Sequence, residues 1–219
     1  MTNKTTTICC TLALLASVAA TPAFSQAKNF AGPSIAIGGG YSSQTYKGKF
    51  DGIDADDIPF SFSMDNGKND FTSLIDLSYG INVDKNFALA IGGTYDLTKS
   101  KVDLINVDGT KINTELKDHY SIYIQPTYVI NDSTGVFGKL NYNFAKNVGK
   151  VTGVTETTTK NLEGWGYGLG IKTFLSANTF VQLEGSYVDY NTHTTTIDGD
   201  TISVSPEVLS AVVSIGYKF

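Results

Sequence analysis

His119 and Ser121 are the sequence's nearest approach to a nucleophile with its base. An imidazole within hydrogen-bond reach of a serine hydroxyl takes its proton and readies it to attack an ester. Residues two apart share a face only in a strand. The alternation around this pair turns that face inward, so a place in a polar lining, not catalysis, is expected. Asp51, Asp54, Asp56 and Asp57 crowd one segment as the carboxylates of a Ca²⁺ site do, but without the EF-hand order, and solvated loop charge is the expectation. His193 stands alone in a Thr-rich stretch and makes no metal site by itself. No Gly-rich phosphate loop, zinc motif or supported Ser/His/Asp set is present, so no cofactor is expected. Five more charged residues, Asp76, Lys139, Lys172, Glu184 and Lys218, remain as candidates. What they do depends on the elements that aim them.

The first residues set the compartment. Lys4 precedes an apolar run from Ile8 to Ala20, followed by Thr21-Pro22-Ala23 and Ser25-Gln26-Ala27, the three-part layout of a secretory signal peptide. The run is too short to span a bilayer, and small residues at −3 and −1 predict cleavage after Ala27, with Ala23 as the second choice. Residues 1–27 are therefore expected to be removed, leaving 28–219 as one domain. Cys9 and Cys10 lie at the start of the run, where a lipid-modified cysteine would not be. The remaining chain has no cysteine, so it must fold without disulfides. It also has no apolar stretch long enough for a membrane helix.

All sixteen basic residues are Lys, and the net charge is −5. A nucleic-acid partner needs a basic stripe that this chain lacks. Its 22 Gly, 12 Tyr and 12 Phe, in alternating arrangement, suit a transmembrane barrel better than a soluble sandwich.

Period-two alternation recurs along the chain. Ile35, Ile37, Gly39 and Tyr41 predict an outward face, and then Phe71, Ser73, Ile75, Leu77 and Tyr79. Phe87, Leu89, Ile91, Gly93 and Tyr95 follow, then Tyr120, Ile122, Ile124, Pro126 and Tyr128, and Val136, Gly138, Leu140, Tyr142 and Phe144. Trp165 to Ile171, Val181 to Tyr187 and Leu209 to Phe219 complete the set. The intervening residues face in; most are polar or small, with Leu74, Tyr123, Phe137 and Val212 among them. In lipid every backbone polar group must be paired between strands, so the expected fold is all-β: a single eight-stranded antiparallel up-and-down transmembrane β-barrel. Asp76, Lys139, Lys172, Glu184 and Lys218 then point into the lumen as a polar network that offsets the desolvation of its charges.

Connections give an independent reading. Short links near 82–86, 131–134 and 176–178 alternate with long polar ones near 47–68, 98–116, 145–162 and 190–206, as periplasmic turns and extracellular loops do. Both termini are thus expected in the periplasm. Asp108-Gly109 signals a type I′ hairpin. Pairing Val107 with Thr110 predicts continuous strands with Tyr95 opposite Ile122. Asp198-Gly199 repeats the signal, but that pairing would set outward Tyr187 against inward Ser210, so a bulge or longer turn near Pro206 is expected. Two aromatic girdles are predicted: Tyr79, Phe87, Tyr128, Phe174, Phe180, Tyr217 and Phe219 at the turn end, and Tyr41, Tyr95, Tyr120, Tyr142, Phe144, Trp165 and Tyr187 at the loop end.

With the strands in place, the chain resembles the small outer-membrane barrel proteins of the OmpA/OmpX and opacity-like surface-antigen group, which includes porin-family barrels. Gly164 through Thr179-Phe180-Val181-Gln182-Leu183-Glu184 to Tyr187-Val188-Asp189-Tyr190 resembles the group's penultimate hairpin. The ending Val213-Ser214-Ile215-Gly216-Tyr217-Lys218-Phe219 resembles the signal read by the barrel-assembly machinery, carried by Ile215, Tyr217 and Phe219. The chain stops at Phe219, so no periplasmic peptidoglycan-binding domain is expected after the barrel. The His-x-Ser pair faintly resembles that of lipid A deacylase barrels, but residues near Asn131 offer no suitable Glu.

The resemblance implies a Gram-negative outer-membrane protein that is not an enzyme. It implies a scaffold for envelope integrity, with extracellular loops for interaction or adhesion, and as the alternative a narrow porin or transport barrel for small solutes or apolar ligands. Implied partners are outer-membrane lipid and lipopolysaccharide, the assembly machinery and periplasmic chaperones, and an extracellular ligand of the loops.

Overall fold

The computed structural model describes residues 27–53, 59–107, 110–151, 157–197 and 200–219. The proposed signal peptide, apart from Ala27, and the residues Asp54, Asp56, Asp57, Asp108-Gly109 and Asp198-Gly199 lie outside them. After a 3-10 turn, Ala27–Phe30, the strands are β1 (Gly32–Ile53), β2 (Pro59–Asp84), β3 (Phe87–Asp96), β4 (Ser100–Val107), β5 (Thr110–Val129), β6 (Thr134–Val151), β7 (Thr157–Phe174), β8 (Thr179–Tyr190), β9 (His193–Ile197) and β10 (Asp200–Lys218).

Each strand pairs antiparallel with its neighbour in the order β1-β2-β3-β5-β6-β7-β8-β10, and β10 returns to β1 from Ser34↔Lys218 to Asp51↔Thr201. Among the described residues, these eight strands close the barrel and leave no unpaired edge. The predicted faces hold. Ile37, Leu77, Ile91, Ile122 and Leu169 are exposed on the outside, while Ala36, Thr72, Asp76, Tyr123, Lys139 and Gln182 are buried inside. Tight connections close one end at 85–86, 130–133 and 175–178. The N-terminal turn and the last residue lie at this same end: Ala27 N donates to Lys85 O at 3.0 Å, and Phe219 N to Pro33 O at 3.0 Å.

Three expectations need correction, the first two at the other end. The segments read as long polar loops are mostly strand: β1 and β2 stay paired to Ile53↔Pro59, and β6 and β7 to Lys150↔Thr157. They looked like loops because their alternation inverts. Inside the membrane the outer face is apolar. Beyond it the outer face meets water, and the inner face becomes an apolar core of Leu116, Ala145, Leu162, Val188 and Tyr190, with Val208 packed against it.

Second, β3 and β4 are not one continuous strand. Val107 does pair with Thr110, but a register shift between Asp103 and Ile105, and the break between β3 and β4, bring Tyr95 opposite Tyr120, not Ile122. Two single-residue shifts cancel in parity, so Tyr95 still faces out. β5 bulges against β6 between Lys117 and Tyr120, where Asp118 adopts φ 52°.

The irregularity expected near Pro206 is present. Ile197 pairs with Asp200 and His193 with Val204, whereas Asp189 pairs with Glu207. One extra residue on the β8–β9 side therefore restores outward Tyr187 to outward Leu209. The third correction concerns the turn-end girdle: Phe174 and Phe180 are buried inside the barrel, as the parity of their neighbours Lys172 and Gln182 requires.

Candidate functional site

The lumen is layered, and the layers are built by strands that are distant in sequence. At the turn end, inward aromatic rings fill the cross-section. Phe30 from the N-terminal turn meets Phe174 edge-on at 5.2 Å, and Phe174 meets Phe180 at 5.5 Å. Ala36 packs against the same rings, and Ala88 and Val129 close the side by Ala27. Three large inward rings sit opposite a glycine across the ladder: Phe137↔Gly170, Phe180↔Gly216 and Tyr123↔Gly92. A Cβ placed on Gly216 would stand 2.6 Å from Phe180 Cε2, and one on Gly92 2.6 Å from Tyr123 Cζ. These inward glycines accommodate bulk; they do not open a crevice.

Above this layer lies the ion-pair layer. Lys139 from β6 donates to Glu184 Oε2 of β8 at 2.5 Å and lies 3.7 Å from Asp76 Oδ2 of β2. Tyr123 donates its hydroxyl proton to Asp76 Oδ1 at 2.7 Å, and Gln182 Nε2 donates to Glu184 Oε2 at 3.1 Å. The ammonium also stands 4.3 Å from the Tyr123 ring centroid. Each charge of this layer thus has an opposite charge and a hydrogen bond, the condition under which its desolvation is offset.

The structure therefore joins three of the five predicted lumen charges and separates two. Lys172 stands over the Phe180 ring at 4.4 Å and Lys218 near Phe174 at 5.8 Å, outside the Asp76–Lys139–Glu184 group. Both lie lower in the barrel, where the lining is aromatic and a cation–π contact is what is available.

Asp96 was not singled out from the sequence. His119 Nδ1 lies 2.6 Å from Asp96 Oδ2, and the His119 ring meets Tyr190 edge-on at 6.3 Å between centroids. Ser121, the other half of the His-x-Ser pair, hydrogen-bonds Thr94 Oγ1 at 2.7 Å instead. For Asp96 the available signal was its alternation with Tyr95: it follows that outward residue and so faces in. Of the acidic segment, Asp51 is paired with Lys49 at 2.9 Å. His193 opens β9. Among the described residues, no group of three or more His, Cys, Asp or Glu is close enough to hold a metal.

Beyond the membrane, the apolar core closes the far end. Tyr46 on β1 is also buried, and burial pushes its hydroxyl pKa up to about 12. On the outer wall Tyr120 stacks on Phe144 at 4.9 Å, and Tyr142 meets Trp165 at 5.0 Å. This is the predicted loop-end girdle. Ile215, Tyr217 and Phe219 form an exposed outward stripe at the end of β10, with Tyr217 and Phe219 5.2 Å apart.

The outer membrane protein beta-barrel domain family matches residues 10–219. The chain belongs to that family. Its membership places this eight-stranded barrel in the outer membrane of the cell. Among solved structures, OprG from Pseudomonas aeruginosa superposes with a TM-score of 0.55 at 16% identity, covering 86% of this chain and 96% of that one. Ail of Yersinia pestis, in complex with the heparin analogue sucrose octasulfate, gives 0.48 at 15% identity over 86% and 99%. The OprG likeness is one of fold. No curated protein matches the sequence.

Proposed function

We propose that this barrel is a non-enzymatic surface protein: a rigid scaffold in the outer membrane that supports envelope integrity and displays β-hairpins at the cell surface for interaction or adhesion. The observation that carries this reading is the filled lumen. Phe30, Phe137, Phe174, Phe180 and Tyr123 pack across it below a compensated ion-pair layer, in a barrel whose interior is just wide enough for side chains. A filled barrel is a frame, and specificity on a frame resides in what projects from it.

In this reading the termini and tight turns face the periplasm, and the paired extensions of β1–β2, β4–β5, β6–β7 and β9–β10 stand outside. Residues 1–27 serve as the export signal. The outward stripe Ile215, Tyr217 and Phe219 is the mark recognised by the assembly machinery after periplasmic chaperones deliver the chain. Lipid and lipopolysaccharide surround the girdles.

Liposome swelling and planar-bilayer current with the refolded barrel test the scaffold reading against the porin alternative. Impermeability to small sugars and a flat current trace are expected. Uptake of solute by the intact barrel would overturn the reading.

A further inference from the structure

At the loop-end girdle the wall forks. β7 and β8 stay paired as far as Gly164↔Tyr190, and Asn191 N donates to Glu163 O at 2.8 Å. Above that bond β7 continues against β6 and β9 runs against β10, and among the described residues no ladder joins β7 to β9. The extra residue on the β8–β9 side falls at 190–192, since Asp189 pairs with Glu207 and His193 with Val204. A bulge of this kind re-aims side chains. At the foot of the fork the outer wall holds an open crevice lined by Trp165, Asp189, Asn191, Glu207 and Lys47, among others.

The strand registers make the central three of these neighbours. Asp189 stands directly opposite Trp165 in the β7–β8 ladder and directly opposite Glu207 in the β8–β10 ladder. They occupy one row of the outer face, adjacent Cβ atoms being about 5 Å apart in such a row. Glu207 is engaged, because Lys47 Nζ pairs with its carboxylate. Asp189 is exposed and makes no ion pair or side-chain hydrogen bond among the described residues. Trp165 is 59% exposed, and Tyr142 meets it edge-on. A free carboxylate thus adjoins an open indole ring.

Charge selects what fits there. The lining sets two carboxylates against one ammonium, and Glu163, two residues above Trp165 on the same face, adds a third while accepting the Tyr142 hydroxyl proton at 2.7 Å. An anion is repelled. A guanidinium answers both free groups: its plane stacks on an indole within about 6 Å of the ring centroid, and its fork donates two parallel hydrogen bonds to a carboxylate. An ammonium has neither the plane nor the fork. The chain contains no arginine, so a second copy of it cannot supply this group.

We propose that the crevice receives an arginine side chain of an extracellular partner polypeptide, its guanidinium stacked on Trp165 and bidentate on Asp189, with the Asn191 amide as a further acceptor at the rim. The proposal deepens the surface-protein reading and rests on it for which side of the membrane the fork faces.

Trp165 is the single tryptophan, so its fluorescence reports on the site directly. The barrel, refolded in a non-ionic polyoxyethylene detergent that carries no competing cation, is titrated with N-acetyl-arginine amide and with its lysine and citrulline counterparts. Citrulline keeps the shape of arginine without its charge. Heat-modifiable gel migration checks folding. A saturable change is expected with arginine, with affinity lower by about threefold for lysine and about tenfold for citrulline. Asp189→Asn should weaken arginine binding by about tenfold, whereas Asp118→Asn, which removes a carboxylate elsewhere on the wall, should leave it unchanged. The titrations of the unaltered barrel stand even where a variant misfolds. No saturable response overturns the proposal, as does lysine or citrulline binding as tightly as arginine, or an equal effect of the two substitutions. Failure here with liposomes still impermeable refutes the site and leaves the scaffold reading in place; solute uptake with the arginine response intact does the reverse.

Discussion

Phe180 occupies the volume that a side chain on Gly216 would need: the two are direct partners across β8 and β10, and a Cβ on Gly216 would lie 2.6 Å from Phe180 Cε2. Size at one position is thus set by its absence at the other. Gly216→Ala is expected to force the ring from its place and destabilise the barrel by about 1–3 kcal/mol, the usual cost of overpacking. Phe180→Leu in the same chain should recover part of that loss. Urea unfolding in lipid vesicles, followed through the single tryptophan Trp165, measures both, and additive effects would contradict the coupling.

Lys139 is buried between two carboxylates, so its removal leaves charge without compensation. Lys139→Met is expected to cost about 3–5 kcal/mol. Replacing Asp76, Lys139 and Glu184 together with apolar residues of similar volume should cost far less, because no bare charge then remains. The same unfolding assay compares the two variants. An equal loss in both would mean that packing, not charge, sets the cost.

Asp118 holds φ 52° at the β5 bulge, with Lys146 Nζ 3.0 Å from its Oδ2. Asn and Gly tolerate this backbone region, and a β-branched side chain does not. Asp118→Asn should therefore leave stability nearly unchanged, since an exposed ion pair contributes little. Asp118→Val should cost about 1–3 kcal/mol. Equal stability of the two variants in urea would show that the positive-φ backbone at Asp118 does not penalise a β-branched side chain.

Tyr46 provides a pH signature outside the membrane. Its folded pKa is raised to about 12, against about 10 in the unfolded chain. The folded state then keeps the proton that the unfolded state gives up. Stability is unaffected below pH 10 and falls as pH rises from 10 toward 12, by up to about 3 kcal/mol. Tyr46→Phe should remove this decline, and absorbance at 295 nm should show one tyrosine fewer titrating late. A decline of the same size in the variant would assign the effect elsewhere.

By itself the sequence determined which way each membrane-spanning residue points, because lipid on one side and a packed lumen on the other act on every residue separately and leave a two-residue rhythm. Ile35 and Ile37 outside, Asp76 and Lys139 inside, and the short turn at 85–86 were legible on that ground. The same rhythm misled beyond the membrane. There Leu162 faces in and Glu163 faces out, since water replaces lipid on the outer wall, and a two-stranded extension reads as a polar loop.

Which inward residues meet was decided only by the tertiary structure. Asp76, Lys139 and Glu184 come from β2, β6 and β8, strands that share no ladder, and they converge because closure of the barrel fixes their relative heights across the lumen. Asp96 and His119 instead meet across the β3–β5 ladder beside Tyr95↔Tyr120, and Lys172 meets Phe180 across β7 and β8, contacts set by the register of adjacent strands. A local pattern carries the side of the wall; height and angle around a closed ring are properties of the whole set of strand registers.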